Sequence, residues 1–158
     1  VADERWRGGR VSTLSAGVLL HRTGPDGAVQ VLLAHMGGPF WARKDEGAWS
    51  IPKGEHPPSE DARAAARREF AEELGSPVPE GELRELGTVR SGRKVIAAFA
   101  LAGDLDAEHI VSNTFELEWP PRSGRTQAFP EVDRAAWFDL ETARRKIVKS
   151  QIPFLDRI

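Results

Sequence analysis

Apolar positions along this chain follow two different spacings, and the switch between them predicts its elements. Residues 13–22 (TLSAGVLLHR) and 29–36 (VQVLLAHM) are short apolar runs separated by Thr23-Gly24-Pro25-Asp26-Gly27, a cluster of turn formers, so they predict a β-hairpin. Residues 37–47 show no periodicity and predict a long loop. The spacing then becomes helical: Ala62, Ala65, Ala66, Phe70 and Leu74 recur three and four residues apart and form one apolar arc. This helix is expected to start after Ser59, whose hydroxyl can cap the first turn, with Glu60 and Asp61 near the positive end of the dipole. Gly75 is expected to end it as the left-handed residue after the last turn. Residues 85–90, 95–102 and 113–119 predict further strands. Residues 135–138 read as a short strand leading into a helix capped by Asp139, and 152–158 as a final short helix or docked tail.

Composition narrows the picture without naming a chemistry. A chain of 158 residues with 40% hydrophobic content supports one core and is short for two domains. The charged, glycine-bearing residues 1–11 are expected to form a loosely ordered arm, pinned if at all by Trp6, ahead of a single domain over 12–158. The 22 basic and 24 acidic residues leave a net charge of −2. No long cationic run offers a face for bulk nucleic acid, so a small-molecule anion is the better partner. There is no cysteine, which excludes disulfides, thiol nucleophiles and zinc–thiolate sites. The first ten residues, VADERWRGGR, hold no apolar stretch of the kind that opens a secretory leader, and the apolar run over 95–102 is too short to span a bilayer. The expectation is a cytoplasmic protein with no membrane contact, a monomer or homodimer.

The chemistry is concentrated in residues 54–75, GEHPPSEDARAAARREFAEELG. On a helix Glu69 is a neighbour of both Glu72 and Glu73, so three carboxylates share one side, with Glu69 and Glu73 along a border of the apolar arc. Two unit negative charges about 5 Å apart repel by roughly 3 kcal/mol at an effective dielectric of about 20. Either a hard divalent cation offsets that repulsion, or the arginines Arg63, Arg67 and Arg68 do.

The spacing reproduces a known motif: Gly54, five residues, Glu60, seven residues, then Arg68-Glu69-Phe70-Ala71-Glu72-Glu73-Leu74-Gly75. The chain resembles the Nudix hydrolase family. One position departs, because Ser76 and Pro77 stand where the family has an apolar residue, leaving Val78 as the residue to fill that slot. Trp49-Ser50-Ile51-Pro52-Lys53-Gly54 resembles the diadenosine tetraphosphate hydrolase branch, and GGPFWARKDEGAWSIPKGE with WPPRSGRTQAFPEVDRAAWF looks like bacterial Nudix proteins near it. The resemblance implies an α/β/α sandwich with a central mixed β-sheet and the Nudix loop-helix-loop. It also implies hydrolysis of a nucleoside diphosphate linked to another moiety, with Mg2+ or Mn2+ held by the box glutamates.

Carried over residue by residue, the resemblance implies metal ligands at Glu69, Glu72 and Glu73 and at the backbone carbonyls of Lys53 and Gly54. Arg68 then orients a carboxylate, or forms an ordinary ion pair with Glu72. Glu60 is either a further ligand or a charge on the helix dipole. Glu131 matches the position of an additional glutamate on a mobile loop, where it would bind a second metal or act as general base; a solvent-exposed loop acid is the alternative, and Glu116 and Glu118 compete for the role. The Lys53 ammonium can hold a phosphate as a point charge. Arg43, Lys44, Arg122 and Arg125 are the candidate phosphate clamp, each alternatively a solvated loop charge. Trp49, Phe40, Trp41 and Trp119 are candidates to stack a base, though tryptophan more often packs in a core. His21, His35, His56 and His109 show no ligand spacing. The substrate reading is dinucleoside polyphosphates, with nucleoside triphosphates, nucleotide sugars, RNA 5′ ends or a non-catalytic nucleotide sensor as alternatives.

Overall fold

A computed structural model of the protein describes residues 12–158; the arm expected over residues 1–11, with Trp6, lies outside the described residues. The chain runs β1 (Thr13–Thr23), β2 (Val29–Met36), β3 (Trp49–Ser50), β4 (Lys53–Glu55), α1 (Ala62–Leu74), β5 (Arg84–Ser91), β6 (Lys94–Ala102), β7 (Thr114–Glu118), β8 (Thr126–Pro130), β9 (Val132–Asp139), α2 (Leu140–Lys146), a 3-10 turn (Lys149–Gln151) and α3 (Ile152–Arg157). The hairpin forms as expected, with His21 opposite Val31 and Thr23 opposite Val29.

Seven strands make one mixed sheet in the order β3-β2-β1-β6-β5, with β4 also on β1 and β9 also on β2. Only the β1–β6 pairing, from Thr13↔Lys94 to His21↔Ala102, is parallel within it. Successive strand residues point to opposite faces, so each central strand feeds two cores. Ala16, Val18, Leu20 and Leu32 pack with Ala65, Ala66, Phe70 and Leu74 of α1. Leu19, Val31 and Leu33 pack on the other face with Ala143 of α2 and Phe154 and Leu155 of α3. The result is the expected α/β/α layering. Val78 joins the α1-side core, filling the apolar slot that Ser76 and Pro77 leave.

Two local expectations need correction. The cap of α1 is Asp61, whose side chain accepts from the Ala64 N–H at 3.1 Å, and not Ser59. A carboxylate two residues nearer the first turn reaches an orphan amide that the serine does not. The region after Trp119 is not a loop throughout: β7 and β8 pair as a separate two-stranded arm, Phe115 opposite Phe129. Gly75 does end α1, with φ of 75° and its N–H on Ala71 O at 2.8 Å. No helix among the described residues is long and apolar enough to cross a membrane.

One edge of β1 positions the site. β2 covers that edge at residues 21–23 and β4 covers it at residues 15–17, so the two partners splay apart and leave a fork. The C-terminal segment braces the β4 side of the fork. Val148 N–H donates to Trp49 O at 2.8 Å, and Gln151, only 2% exposed, accepts from Ile51 N–H at 3.0 Å while its Nε2 donates to Ser50 Oγ at 3.0 Å. Gln151→Leu keeps the volume but leaves the buried Ile51 N–H and Ser50 hydroxyl short of a partner, so urea unfolding should show a loss of about 1–3 kcal/mol.

Candidate active site

A cavity of about 460 Å³ opens in the fork of the sheet, under α1. Ser15 of β1, Ala34 and Met36 of β2, and Ser50 of β3 line one part of it. Lys53, Gly54 and Glu55 of β4, Glu69, Glu72 and Glu73 of α1, Lys94 of β6, and Asn113, Glu131 and Val132 complete the wall. Five carboxylates therefore face two ammonium groups.

Three of these acids, Glu69, Glu72 and Glu131, are held by specific contacts. Glu69 is 9% exposed and lies flat against Gly54, where a Cβ would fall 1.9 Å from its Oε2. Any larger residue at position 54 would push that carboxylate out of this seat, which gives the first glycine of the motif a physical role. Arg68 stands on the same helix as a fork. Its Nε and Nη2 donate to Glu60 at 3.0 and 2.8 Å, and its Nη1 donates to Glu69 Oε1 at 2.8 Å and to both Glu72 oxygens at 3.3 Å. Glu60 is thus the partner of Arg68, which holds the Glu60 carboxyl below its usual range, and it does not line the cavity. Arg68 forms the ion pair with Glu72 and also hydrogen-bonds Glu69.

Glu131 arrives from the junction of β8 and β9. Its N–H donates to Asn113 O at 2.8 Å, its carbonyl accepts from Gly37 N–H at 2.9 Å, and Asn113 N–H donates to Glu72 O at 3.0 Å. A chain of backbone bonds thus ties the far acid to the C-terminal turn of α1, whose free carbonyls need such partners. Electrostatics follow from the crowding. Burial pushes the Glu73 carboxyl well above the usual carboxylate range, with Lys53 pulling it down and Glu131 and Glu69 pushing it further up. Burial also raises Glu69, against the pull of Arg68. The Lys53 ammonium is lowered by burial, opposed by Glu73 and reinforced by Lys94.

Other predicted site residues lie elsewhere. Trp49 is 4% exposed, its Nε1 donates to Asp45 at 2.9 Å, and its ring packs edge-on against His35 and Phe138, so it presents no face to a ligand. Arg43, Lys44, Arg122 and Arg125 are exposed and do not line the cavity; the cations that do are Lys53 and Lys94. Glu116 and Glu118 are on the exposed side of β7. Lys94, Asn113, Ser15 and Glu55 were absent from the sequence-derived set. Lys94 carries no local signal, because only the parallel pairing of β6 with β1, 81 residues back at Thr13, brings it in.

The profile of the NUDIX domain matches residues 12–158. The chain belongs to the Nudix hydrolase family. Members of this family are pyrophosphohydrolases that use divalent metals. No curated protein matches the sequence significantly. Among solved structures, the chain is similar to an Ap4A hydrolase binary complex from C. elegans, with 20% identity, a TM-score of 0.57, and coverage of 92% of this chain and 93% of that one. It is also similar to the NUDIX domain of Shewanella oneidensis NrtR complexed with ADP ribose, at 17% identity and a TM-score of 0.64 over 99% and 92% of the two chains. A MutT structure from work on Aliivibrio salmonicida and Vibrio cholerae matches at 14% identity and a TM-score of 0.54, over 92% and 93%. At these identities the likeness establishes the fold.

Whether the Nudix residues suit a metal can be judged from the donor set. Among the described residues no three acid or imidazole side chains stand close enough to hold an ion as arranged, and Arg68 Nη1 lies between Glu69 and Glu72 where a cation would. The chemistry nonetheless fits a hard divalent cation: oxygen donors only, an excess of negative charge, and partial burial that strengthens the attraction. Closing the set asks for rotation of glutamate side chains away from Arg68. Gly54→Ala would drive the Glu69 carboxylate from its seat. A displacement of that size should lower turnover by about 100-fold or more while circular dichroism still reports a folded protein.

Proposed function

We propose that this Nudix protein is a metal-dependent pyrophosphohydrolase acting in the cytoplasm on a nucleoside diphosphate linked to another moiety, with dinucleoside polyphosphates such as diadenosine tetraphosphate as its substrates. The observation that carries the reading is the cavity itself, in which five carboxylates gather around two ammonium groups. That charge pattern suits a polyphosphate presented together with cations. It does not suit an anion alone, which the acids would repel. The substrate class rests on the Pro52-Lys53-Gly54 resemblance and is supported by two lysines in the cavity wall.

Bound Mg2+ or Mn2+ would supply charge neutralisation on the phosphate oxygens and a water of lowered pKa. Glu69, Glu72 and Glu73, with the backbone carbonyls of Lys53 and Gly54, would hold it. Arg68, which bridges Glu69 and Glu72, would keep its hold on Glu60 as those two carboxylates turn to the cation. Water attacks one phosphorus in line, and Glu131 accepts its proton on a carboxylate oxygen as general base. The Lys53 and Lys94 ammonium groups contact the phosphate oxygens as point charges, holding the leaving phosphate opposite the attacking water.

A hydrolysis panel with Mg2+ and with Mn2+ tests the reading, using diadenosine polyphosphates, nucleoside triphosphates, ADP-ribose and 5′-triphosphorylated RNA. Diadenosine polyphosphates should be cleaved fastest, and Glu73→Gln should lower that turnover by at least about 100-fold. Preference for another member of the panel would move the substrate class. Absence of any cleavage, alongside tight nucleotide binding, would replace the enzyme with a nucleotide sensor.

A further inference from the structure

Phe40 is 59% exposed, the one aromatic ring among the large hydrophobic side chains that the described residues leave open to solvent. It is not alone. Its ring stands edge-to-face on Trp119, with centroids 5.4 Å apart and planes at 85°. This contact joins two segments far apart in sequence: the loop that leaves β2, and the arm of β7 and β8. The same seam is closed by Gly38, φ 95°, where a Cβ would fall 2.9 Å from the Phe115 ring. Each segment also carries cations close in sequence to its ring. Arg43 and Lys44 follow Phe40, with Lys44 Nζ 5.0 Å from the Trp41 ring centre. Arg125 is opposite Trp119, its carbonyl accepting the Trp119 N–H at 2.9 Å, and Arg122 is in the turn between them. Among the described residues, none of these four cations has an acidic ion-pair partner.

Both segments start at the catalytic cavity. Met36 lines it and is four residues before Phe40, at most about 14 Å away along the chain. Asn113 and Glu131 line it from the base of the arm, and Trp119 is six residues beyond Asn113, up to about 20 Å along a strand. An aromatic ring pair on segments whose cations have no acidic partner among the described residues, reached from the cavity, suits a molecule with a flat apolar end and a polyanionic stem.

We propose that Phe40 and Trp119, with Arg43, Lys44, Arg122 and Arg125 around them, form a nucleoside subsite in which a base of the polyphosphate substrate stacks on the exposed Phe40 ring while its phosphate chain runs back past the cations to the cavity. The proposal rests on the hydrolase reading above and deepens it: the four cations expected from sequence as a phosphate clamp hold the phosphate chain between the remote nucleoside and the cavity. Stacking on an aromatic ring is tolerant of base identity, because every base has a flat face. The subsite therefore selects for the presence of a nucleoside and not for adenine in particular.

The test compares wild type, Phe40→Ala and Phe40→Trp. Phe40 is exposed and makes one ring contact, so its truncation leaves the core intact. Phe40→Ala should raise KM for diadenosine tetraphosphate about ten-fold, with Phe40→Trp restoring it. Inhibition by inorganic tripolyphosphate, which has no base, should be the same in all three proteins. Calorimetric binding of diadenosine tetraphosphate with Ca2+ present to offset the repulsion of the acids should show the same ten-fold weakening and recovery. Equal weakening of tripolyphosphate, or no change in KM and affinity, overturns the subsite. Absence of turnover in wild type with the calorimetric pattern intact overturns the hydrolase reading and leaves the subsite standing.

Discussion

Unbalanced negative charge in a half-sheltered cavity is the constraint on which the rest of this structure depends. Two bare carboxylates about 5 Å apart would repel by roughly 3 kcal/mol at an effective dielectric of about 20, a large fraction of a domain's total stability. Burial is what chiefly raises the Glu73 and Glu69 carboxyls, and the neighbouring acids raise them further. Arg68 relieves part of that repulsion by spreading one guanidinium over Glu60, Glu69 and Glu72, and Lys53 relieves part by facing Glu73. Five acids against two lysines still leave an excess, and that excess is what a divalent cation would neutralise. The stability of the domain comes from elsewhere, in the two apolar cores on either side of the sheet.

The cavity exists because β1 is longer than either strand that shares its edge. Eleven residues of β1 accept β2 at one end and β4 at the other, and the gap between those partners is where α1 lowers its glutamates. Three separate braces keep the gap at a fixed width. Gly54 allows Glu69 to press against β4, Gln151 ties Ser50 and Ile51 to the C-terminal segment, and Asn113 ties Glu131 to the last turn of α1. His35, fully buried, adds a fourth tie by contacting Asp133 at 2.8 Å and the Lys44 carbonyl at 2.6 Å, which fixes the loop after β2 to the start of β9. The aromatic seam between that loop and the arm is built on this foundation.

What could be read from the sequence was whatever is encoded locally. The hairpin, α1 with its Gly75 stop, the Asp139 cap and the carboxylate triad all follow from spacing within a few residues. The motif supplied Glu131, which periodicity alone would have left as a loop acid. What escaped depends on long-range pairing. β3 and β4 are two and three residues long and exist only as partners of β2 and β1. β8 is exposed at four of its five residues, so it shows no apolar alternation. Lys94 entered the cavity wall through a parallel pairing with a strand some 80 residues earlier. Trp49 was misjudged for a related reason: its neighbours Pro52 and Lys53 belong to the site, but strand alternation and its contacts with His35 and Phe138 turn its ring into the core.

The central claim is that these glutamates gather to hold a divalent cation, and crystallographic anomalous scattering from Mn2+-soaked protein tests it most directly. The account predicts manganese in the fork between β2 and β4, bound by carboxylate oxygens of Glu69, Glu72 and Glu73, with Arg68 Nη1 displaced from between Glu69 and Glu72. A cavity without manganese, with Arg68 still bridging those two acids at saturating metal, would contradict it.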